Sequence, residues 1–240
     1  MSEIIPKVFH QIWLQGELPD TYKKLRDRMM EMHPNWNYQL WTEKNRPKLS
    51  NEDFYKDISR ASFKSDILRY EILYAHGGVY IDTDFFFLKN IDSLVNQELL
   101  FAEEYERPSN DNPLSPRHLL NNCIIGCSKK HYLLHYMVMK LKENHEQYKT
   151  VLKEGKIPNG WNLVGPVFLD RSVRSVVGPL LGKPSFSYPK SYFCPFRAEE
   201  IKAFGGFRKT IDKLPKETVA LHLWNSRFSH KEMDLPLNDT

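Results

Sequence analysis

The sequence predicts an α/β fold in which a mainly parallel central sheet is flanked by helices. Segments with the period of amphipathic helices alternate with short apolar runs that are typical of buried strands. The clearest unit lies at residues 60–89, where such a helix, a Gly-Gly turn and the strand Val79-Tyr80-Ile81 follow one another directly. Helices that alternate with continuously apolar strands are typical of a parallel sheet covered on both faces.

The part of the chain before this unit is predicted to contain two strands and two helices. These are a strand at residues 8–14, a helix through about residue 32, a strand at 37–41 and a short helix at 53–58. The first helix follows a turn at residues 16–19 and is expected to end at His33, because Pro34 disfavours the helical conformation of the residue before it. Residues 43–51 are polar and are expected to form a loop.

The part of the chain after the unit is predicted to continue with strands, two helices and extended connections. These are strands at 85–88, 99–102 and 121–127, an amphipathic helix at 131–145, a polar link at 151–162, a helix opened by Pro166, extended pieces around 191–193, and a last strand in the block 220–226. Residues 103–117 are rich in Asn, Pro, Ser and Glu and are expected to form a loop that serves as an active-site lid.

The composition limits the classes of function. The net charge of the 240 residues is only +4 and no tract of Lys or Arg stands out, which argues against nucleic-acid binding. No apolar run reaches membrane-spanning length, residues 1–7 contain no signal-peptide core, and three cysteines are too few for a disulfide framework. We therefore expect a single domain, residues 1–240, in the cytoplasm. A weakly basic surface would allow peripheral association with the inner face of the membrane.

Two carboxylates, Asp82 and Asp84, directly follow the buried strand. Oxygen ligands at the carboxyl end of a parallel strand suit Mn²⁺ or Mg²⁺, and open α/β sheets bind ligands at this edge. An Asp-x-Asp pair alone is more often a solvated turn, but here the helix, the turn and the strand precede it. Asp66 and Arg69 share one face of that helix, and their apolar neighbours favour a buried functional pair over a surface ion pair. The stretch predicts a site for a nucleoside diphosphate.

Residues 65–70 (SDILRY) and 77–84 (GGVYIDTD) together resemble the signature of glycosyltransferase family 32. Residues 5–13 and 34–41 resemble the family's first two strands, so the likeness covers roughly the first ninety residues and is far more specific than Asp-x-Asp. The family includes yeast mannosyltransferases and bacterial capsular-polysaccharide transferases, and the catalytic domains of clostridial glucosylating toxins show a similar run. The resemblance implies a GT-A-type fold and a retaining transfer of a sugar from a nucleotide donor.

The resemblance also implies roles for individual side chains. Trp13 is expected to stack on the base of the donor, Asp66 and Arg69 to hold sugar hydroxyls, and Asp82 and Asp84 to bind the cation and the diphosphate. The last four are the predicted catalytic residues. The other predicted members of the donor site are Gln11, Tyr80, Asn122 and Trp224. Trp13 and Asn122 each have a structural alternative, as a core residue and as the partner of a buried loop. A UDP-sugar is the favoured donor, and GDP-mannose is the alternative.

A C-terminal block completes the predicted metal site. In the family, a His-x-Trp block that ends near Ser-Trp closes over the donor and the metal. His222 and Trp224 match its start, whereas Arg227 and Phe228 stand where Ser-Trp is usual. The third metal ligand therefore remains open among three candidates, which are His222, Asn225 and Ser226. A lone histidine on an apolar strand is also often a core residue.

The predicted function is metal-dependent transfer to a glycan. The favoured acceptor is a lipid-linked oligosaccharide of bacterial capsular or surface polysaccharide synthesis, and the alternative is a host protein. Residues 103–117 and the turn after Trp224 are expected to form the acceptor mouth. A haloacid-dehalogenase-type phosphatase is disfavoured, because that class usually has Thr or Val where Phe86 stands. A non-catalytic nucleotide-sugar-binding module is disfavoured because Asp66, Arg69 and both carboxylates are present.

Overall fold

The computed structural model describes residues 4–107, 117–177 and 186–224. The strands in these ranges are β1 (Val8–Ile12), β2 (Asn37–Trp41), β3 (Gly78–Ile81), β4 (Phe85–Phe87), β5 (Leu99–Arg107), β6 (Arg117–Cys127), β7 (Ser187–Tyr188) and β8 (Ala220–His222). The helices are α1 (Asp20–Met32), α2 (Glu52–Asp57), α3 (Ala61–His76), α4 (Tyr132–Lys153), α5 (Gly160–Leu163), α6 (Pro166–Val176), α7 (Lys190–Phe193), α8 (Ala198–Ala203) and α9 (Phe207–Ile211).

The central sheet has six strands in the order β2-β1-β3-β6-β5-β7. β1 is parallel to both β2 and β3, and β5 is parallel to β7, whereas β6 is antiparallel to β3 and β5. The predicted α/β fold with a mainly parallel sheet is therefore confirmed. A separate two-stranded sheet pairs β4 with β8 in antiparallel fashion. That pairing brings a C-terminal strand next to the residues that follow β3.

The turn between α3 and β3 determines where β3 ends. Gly77 and Gly78 have φ angles of +67° and +97°, a region that favours glycine. A Cβ atom on Gly78 would lie 2.5 Å from Val8 Cγ1 and 2.7 Å from the Val8 carbonyl oxygen. The close approach lets β3 leave the helix directly beside β1. Asp82, the residue that follows β3, therefore lies directly at the carboxyl edge of the sheet.

Helix α3 is buried on all sides over much of its length, rather than amphipathic as its sequence predicts. The residues from Asp66 to Leu73 are all buried, since α3 packs against α4 on one side and β3 and β6 on the other. This burial encloses three charged side chains, Asp66, Arg69 and Glu71. Such groups need partners when they are buried. For Glu71 the partners are the backbone N–H of Ser50 and the backbone and side-chain amides of Asn51.

Several predicted boundaries are wrong. β5 continues to Arg107 and β6 begins at Arg117, so the ends of the predicted loop 103–117 are paired strands, and residues 108–116 lie outside the described ranges. α4 extends to Lys153, well past the predicted end at residue 145. Residues 191–193 lie in α7 rather than in an extended piece, because Pro189 starts a helical turn there. α8 and α9 have no counterpart among the predicted elements.

Other predictions on the chain's general character can be compared with the structure. The cysteines Cys123, Cys127 and Cys194 are free, buried thiols. In the described part of the chain, no helix is both long and apolar enough to cross a membrane. The assignment of residues 1–240 to one domain stays a prediction.

Candidate active site

A cavity of about 700 Å³ opens at the carboxyl end of β3. Its wall combines the ends of β1 and β3, the middle of β6, the start of α3 and the C-terminal strand. The lining residues are Ile12, Trp13, Leu14, Gln15, Pro19, Tyr22, Ala61, Ser62, Ser65, Arg69, Tyr80, Asp82, Thr83, Asp84, Glu104, Asn121, Asn122, Trp161, Pro166, His222 and Trp224. The volume lies in the range of small-molecule and cofactor sites.

Asp82, Asp84 and His222 form the most polar part of this cavity. The pairing of β4 with β8 places Phe85 opposite His222, and the two rings stack with their centroids 4.8 Å apart. His222 Nε2 lies 3.2 Å from Asp84 Oδ1 and 3.9 Å from Asp82 Oδ2. One potential ligand atom from each of the three side chains lies within 4.8 Å of the other two. The backbone N–H of Leu223 also donates to the Asp84 carbonyl oxygen at 2.9 Å.

The charges of this group favour a bound cation. Burial raises the pKa of Asp82, and Arg69 only partly opposes the rise. Burial, the largest single influence, would lower the pKa of His222, but Asp84, Cys123 and Asp82 together outweigh it and raise the pKa to about 10. The proton on His222 therefore supplies the positive charge that two close carboxylates require. Two carboxylates and an imidazole nitrogen also form a donor set that Mn²⁺ accepts readily, and Mg²⁺ suits the carboxylates. These residues fit a divalent cation.

A second group of charged residues lies behind Asp82. Arg69 Nη2 lies 2.9 Å from Asp66 Oδ1 and 3.6 Å from Asp82 Oδ1. The Tyr80 hydroxyl donates to Asp82 Oδ1 at 2.5 Å, and the Arg69 guanidinium lies over the Tyr80 ring, 4.2 Å from its centroid. Asn122 Nδ2 donates to Asp66 Oδ1 at 2.9 Å, and the Asn122 carbonyl accepts from Arg69. Arg69 thus connects α3, β3 and β6 and fixes the position of Asp82.

The structure brings together most, but not all, of the predicted site residues. Arg69, Tyr80, Asn122, Trp13 and Trp224 line the cavity with the carboxylates, and the Trp224 ring lies 4.3 Å from His222. Asp66 lies behind Arg69 and does not line the wall. Gln11 is also behind the wall: its Nε2 donates to the Asp82 carbonyl at 3.3 Å, and its Oε1 accepts from the Tyr38 hydroxyl at 3.0 Å. Asn225 and Ser226 lie outside the described residues.

The wall also contains residues that the sequence does not single out, among them Tyr22, Glu104, Asn121 and Trp161. Tyr22 occupies an apolar position of α1, so it resembles a core residue. Its ring lies 5.1 Å from that of Trp13, and burial, followed by Asp84, raises its pKa to about 12. Asn121 Nδ2 donates to Glu104 Oε2 at 3.0 Å across β6 and β5. The strand pairing that joins them is not visible in a sequence that predicts a loop there.

Comparisons with known proteins agree with this geometry. Residues 19–101 match the model of the family described as "Glycosyltransferase sugar-binding region containing DXD motif". The chain is 28% identical over 178 residues to the inositol phosphoceramide mannosyltransferase 3 of Schizosaccharomyces pombe, covering 70% of this chain and 44% of that relative. The chain thus spans less than half the length of this relative.

Two solved structures share the fold. One is the PaToxG glycosyltransferase, with a TM-score of 0.56 and 17% identity, covering 72% of this chain and 70% of the other. The second is the UDP-bound glycosyltransferase domain of the YGT toxin, with a TM-score of 0.51 and 11% identity, covering 78% and 80%. The likeness confirms the GT-A-type architecture that the resemblance predicted. Residues 19–101 thus match the glycosyltransferase family that carries the DXD-containing sugar-binding region, in agreement with the predicted resemblance to family 32.

Proposed function

We propose that this chain transfers a hexose from a nucleoside-diphosphate-sugar to a sugar-bearing acceptor. The observation that carries the proposal is the convergence of Asp82, Asp84 and His222 with Arg69 and Trp13 on one cavity of about 700 Å³. Carboxylates and an imidazole suit the diphosphate and its cation, and the aromatic side chain suits the base. Each part of the donor thus has a complementary part of the wall.

The donor would lie with its base against Trp13 and Tyr22, whose rings form one aromatic corner of the cavity. Its sugar would lie toward Arg69 and Asn122. A UDP-sugar is the favoured donor, by the resemblance to the toxin branch and because the YGT toxin domain was solved with UDP. GDP-mannose remains the alternative, because the Schizosaccharomyces pombe relative is named a mannosyltransferase.

A divalent cation, Mn²⁺ or Mg²⁺, would be held by Asp82, Asp84 and His222, with Asn225 and Ser226 as further candidates. When bound, it would neutralise the diphosphate and stabilise the leaving group as a Lewis acid. The protein's own contribution is positional. Tyr80 and Arg69 hold Asp82 in place, and the backbone N–H of Leu223 holds Asp84 through its carbonyl.

We infer a retaining transfer on the front face of the sugar, as the resemblance implies. The bond between the anomeric carbon and the phosphate oxygen breaks, and its electron pair stays on the phosphate. The acceptor oxygen forms the new bond on the same face, and its proton passes to the departing phosphate oxygen. Arg69, which lies on the wall beside Asp82, would stabilise the negative charge that develops there.

The favoured acceptor is a glycan linked to a lipid. The name of the Schizosaccharomyces pombe relative supports a lipid acceptor, and the predicted role in capsular or surface polysaccharide synthesis is kept as one biological setting. A host protein and a non-catalytic role are the alternatives. The cytoplasmic location, at the inner face of the membrane, belongs to the same proposal.

The test is a transfer assay with Mn²⁺, a panel of nucleotide sugars and candidate acceptors, with the anomeric configuration read by NMR. Asp84→Ala should abolish transfer while the circular dichroism spectrum stays unchanged, and Asp27→Ala, at an exposed aspartate of α1, is the matched control. Full activity in excess chelator would exclude the metal role. A β-linked product from an α-linked donor would overturn retention. Donor binding without turnover of any donor would favour the binding module.

A further inference from the structure

The connection between α4 and α5 exposes three apolar side chains, one of which also lines the cavity. Ile157 is 94% exposed, Leu152 in the last turn of α4 is 49% exposed, and Trp161 in α5 is 42% exposed. Single exposed apolar residues are ordinary on protein surfaces. Here, however, three of them lie within ten residues of sequence, and Trp161 is also part of the cavity wall. We call residues 152–161 the rim segment.

The rim segment is held firmly against α3. A Cβ atom on Gly160 would lie 2.2 Å from the ring of Phe63, so the backbone of α5 is seated directly on that side chain. The Asn159 side chain accepts from the Trp161 backbone N–H at 3.1 Å and caps α5. In the residue before Ile157, the Lys156 backbone N–H donates to the carbonyl of Val151 at 3.1 Å. The exposed side chains therefore project from a defined backbone.

Exposed basic side chains occur in the rim segment and at the neighbouring start of α3. Lys153 and Lys156 belong to the rim segment, and Arg60 lies over the ring of Phe63, 4.9 Å from its centroid, beside the seat of Gly160. Glu154 pairs with Lys156 at 2.8 Å, so the four side chains carry a net charge of +2. Apolar tips that include a tryptophan, set among cations, are typical of surfaces that lie in the interface of an anionic bilayer.

We propose that the rim segment docks the protein on an anionic lipid bilayer, with Ile157 and Trp161 at the level of the headgroups and Lys153, Lys156 and Arg60 against anionic lipid. The inference rests on the proposed function, because it explains how the cavity would reach a lipid-linked acceptor. The rim segment adjoins the cavity, because Trp161 lines the cavity wall together with Ser62 and Pro166. A membrane seated there would present its headgroups at the cavity mouth.

The test is flotation of the full chain with phosphatidylcholine vesicles, made with and without phosphatidylserine. The wild type should float with the phosphatidylserine vesicles, and more salt should weaken its binding. Ile157→Glu should lower the partition coefficient by about tenfold or more. Lys153→Glu with Lys156→Glu should lower it by at least about tenfold, since each cation near such a surface contributes about fivefold. Met139→Glu is the matched control: Met139 is 48% exposed on α4 but lies outside the rim segment.

A separate readout distinguishes this inference from the proposed function. Binding of UDP in the presence of Mn²⁺, measured by calorimetry, should be the same for Ile157→Glu and the wild type. If the wild type binds neither UDP nor GDP, the proposed function is contradicted, whatever the vesicles show. The docking inference is overturned if the wild type does not float, or if Met139→Glu loses as much binding as Ile157→Glu. It is also overturned if sedimentation shows a dimer that Ile157→Glu dissociates, since the rim would then bind a second copy.

Discussion

Replacement of Arg69 by methionine should destabilise the fold by about 3–5 kcal/mol, because it leaves the buried Asp66 and the partly buried Asp82 carboxylates without their cation. Arg69 Nη2 lies 2.9 Å from Asp66 Oδ1 and 3.6 Å from Asp82 Oδ1, and the arginine side chain is only 6% exposed. At an effective dielectric constant of about 20, these distances correspond to gross attractions of about 6 and about 5 kcal/mol. Burial of the guanidinium offsets much of this attraction, so the net loss is smaller than the sum.

The loss should also depend on pH. Burial raises the pKa of Asp66 to about 7, although Arg69 opposes the rise. Without Arg69 the pKa should rise further, whereas the unfolded chain releases that proton near about pH 3.9. Stability falls with increasing pH wherever the folded state binds more protons than the unfolded state. The deficit of Arg69→Met relative to the wild type should therefore be larger at about pH 8 than at about pH 5.

Urea unfolding in the presence of a chelator, followed by tryptophan fluorescence, measures this deficit. The double variant Asp66→Asn with Arg69→Met should recover about 1–3 kcal/mol, since it removes one carboxylate along with the cation. Lys23→Met is the control, because Lys23 and Asp20 form an exposed pair on α1 whose loss should matter far less. An Arg69→Met deficit no larger than that of the control, or one that is equal at both pH values, would refute the reasoning. So would a double variant without recovery.

Three further predictions concern the donor site, the sheet and the turn. Trp13→Ala should weaken UDP binding by about tenfold or more in calorimetry, while Trp13→Phe should retain most of it, because stacking needs only an aromatic face. Burial lowers the pKa of His10 to about 4, so the unfolding free energy should fall by on the order of 3 kcal/mol between about pH 6.5 and 4, and His10→Gln should lack this part of the pH dependence. Gly78→Ala should cost about 2–4 kcal/mol in urea unfolding, through its positive φ and its contact with Val8. Gly16→Ala, at a φ of +87° with no atom within 4 Å, should cost clearly less.

Sequence patterns suffice where an element depends on its own residues. β2 occupies the predicted residues 37–41, and α1 ends at Met32, before the His33-Pro34 pair that predicts its end. α3 ends at the glycines expected to end it, and β3 follows at once with all four residues buried. These boundaries come from proline and glycine chemistry and from apolar runs, which act over a few residues. The placement of Asp82 at the sheet edge follows from them.

The same patterns fail where a distant partner determines the structure. Residues 103–107 are mostly polar, yet they form part of β5, because β6 pairs with them in antiparallel register on either side of an irregularity between Glu103 and Tyr105. The direction in which a strand side chain points also depends on the strands beside it. The Gln11 side chain is of a kind that could bind a ligand, but in the sheet it hydrogen-bonds to the Tyr38 hydroxyl and the Asp82 backbone instead. The spacing of Asp66 and Arg69 suffices to pair them. Their contacts with Asp82 and Asn122, however, form only because α3, β3 and β6 come together in the fold.

The position of His222 shows why the C-terminal strand β8 affects the Asp82/Asp84 motif, although the two are far apart in the sequence. β8 pairs with β4, the strand that immediately follows the two aspartates, and its next residue, Leu223, donates directly to the backbone of Asp84. The ladder that aligns the imidazole is thus the same one that fixes the second carboxylate. In the absence of a cation, the proton that the carboxylates hold on His222 compensates their charge. A cation bound by the three side chains would displace this proton, so binding of the cation should release a proton. Loss of the β4–β8 pairing would accordingly remove a proposed metal ligand and leave the two carboxylates without the compensating charge of His222.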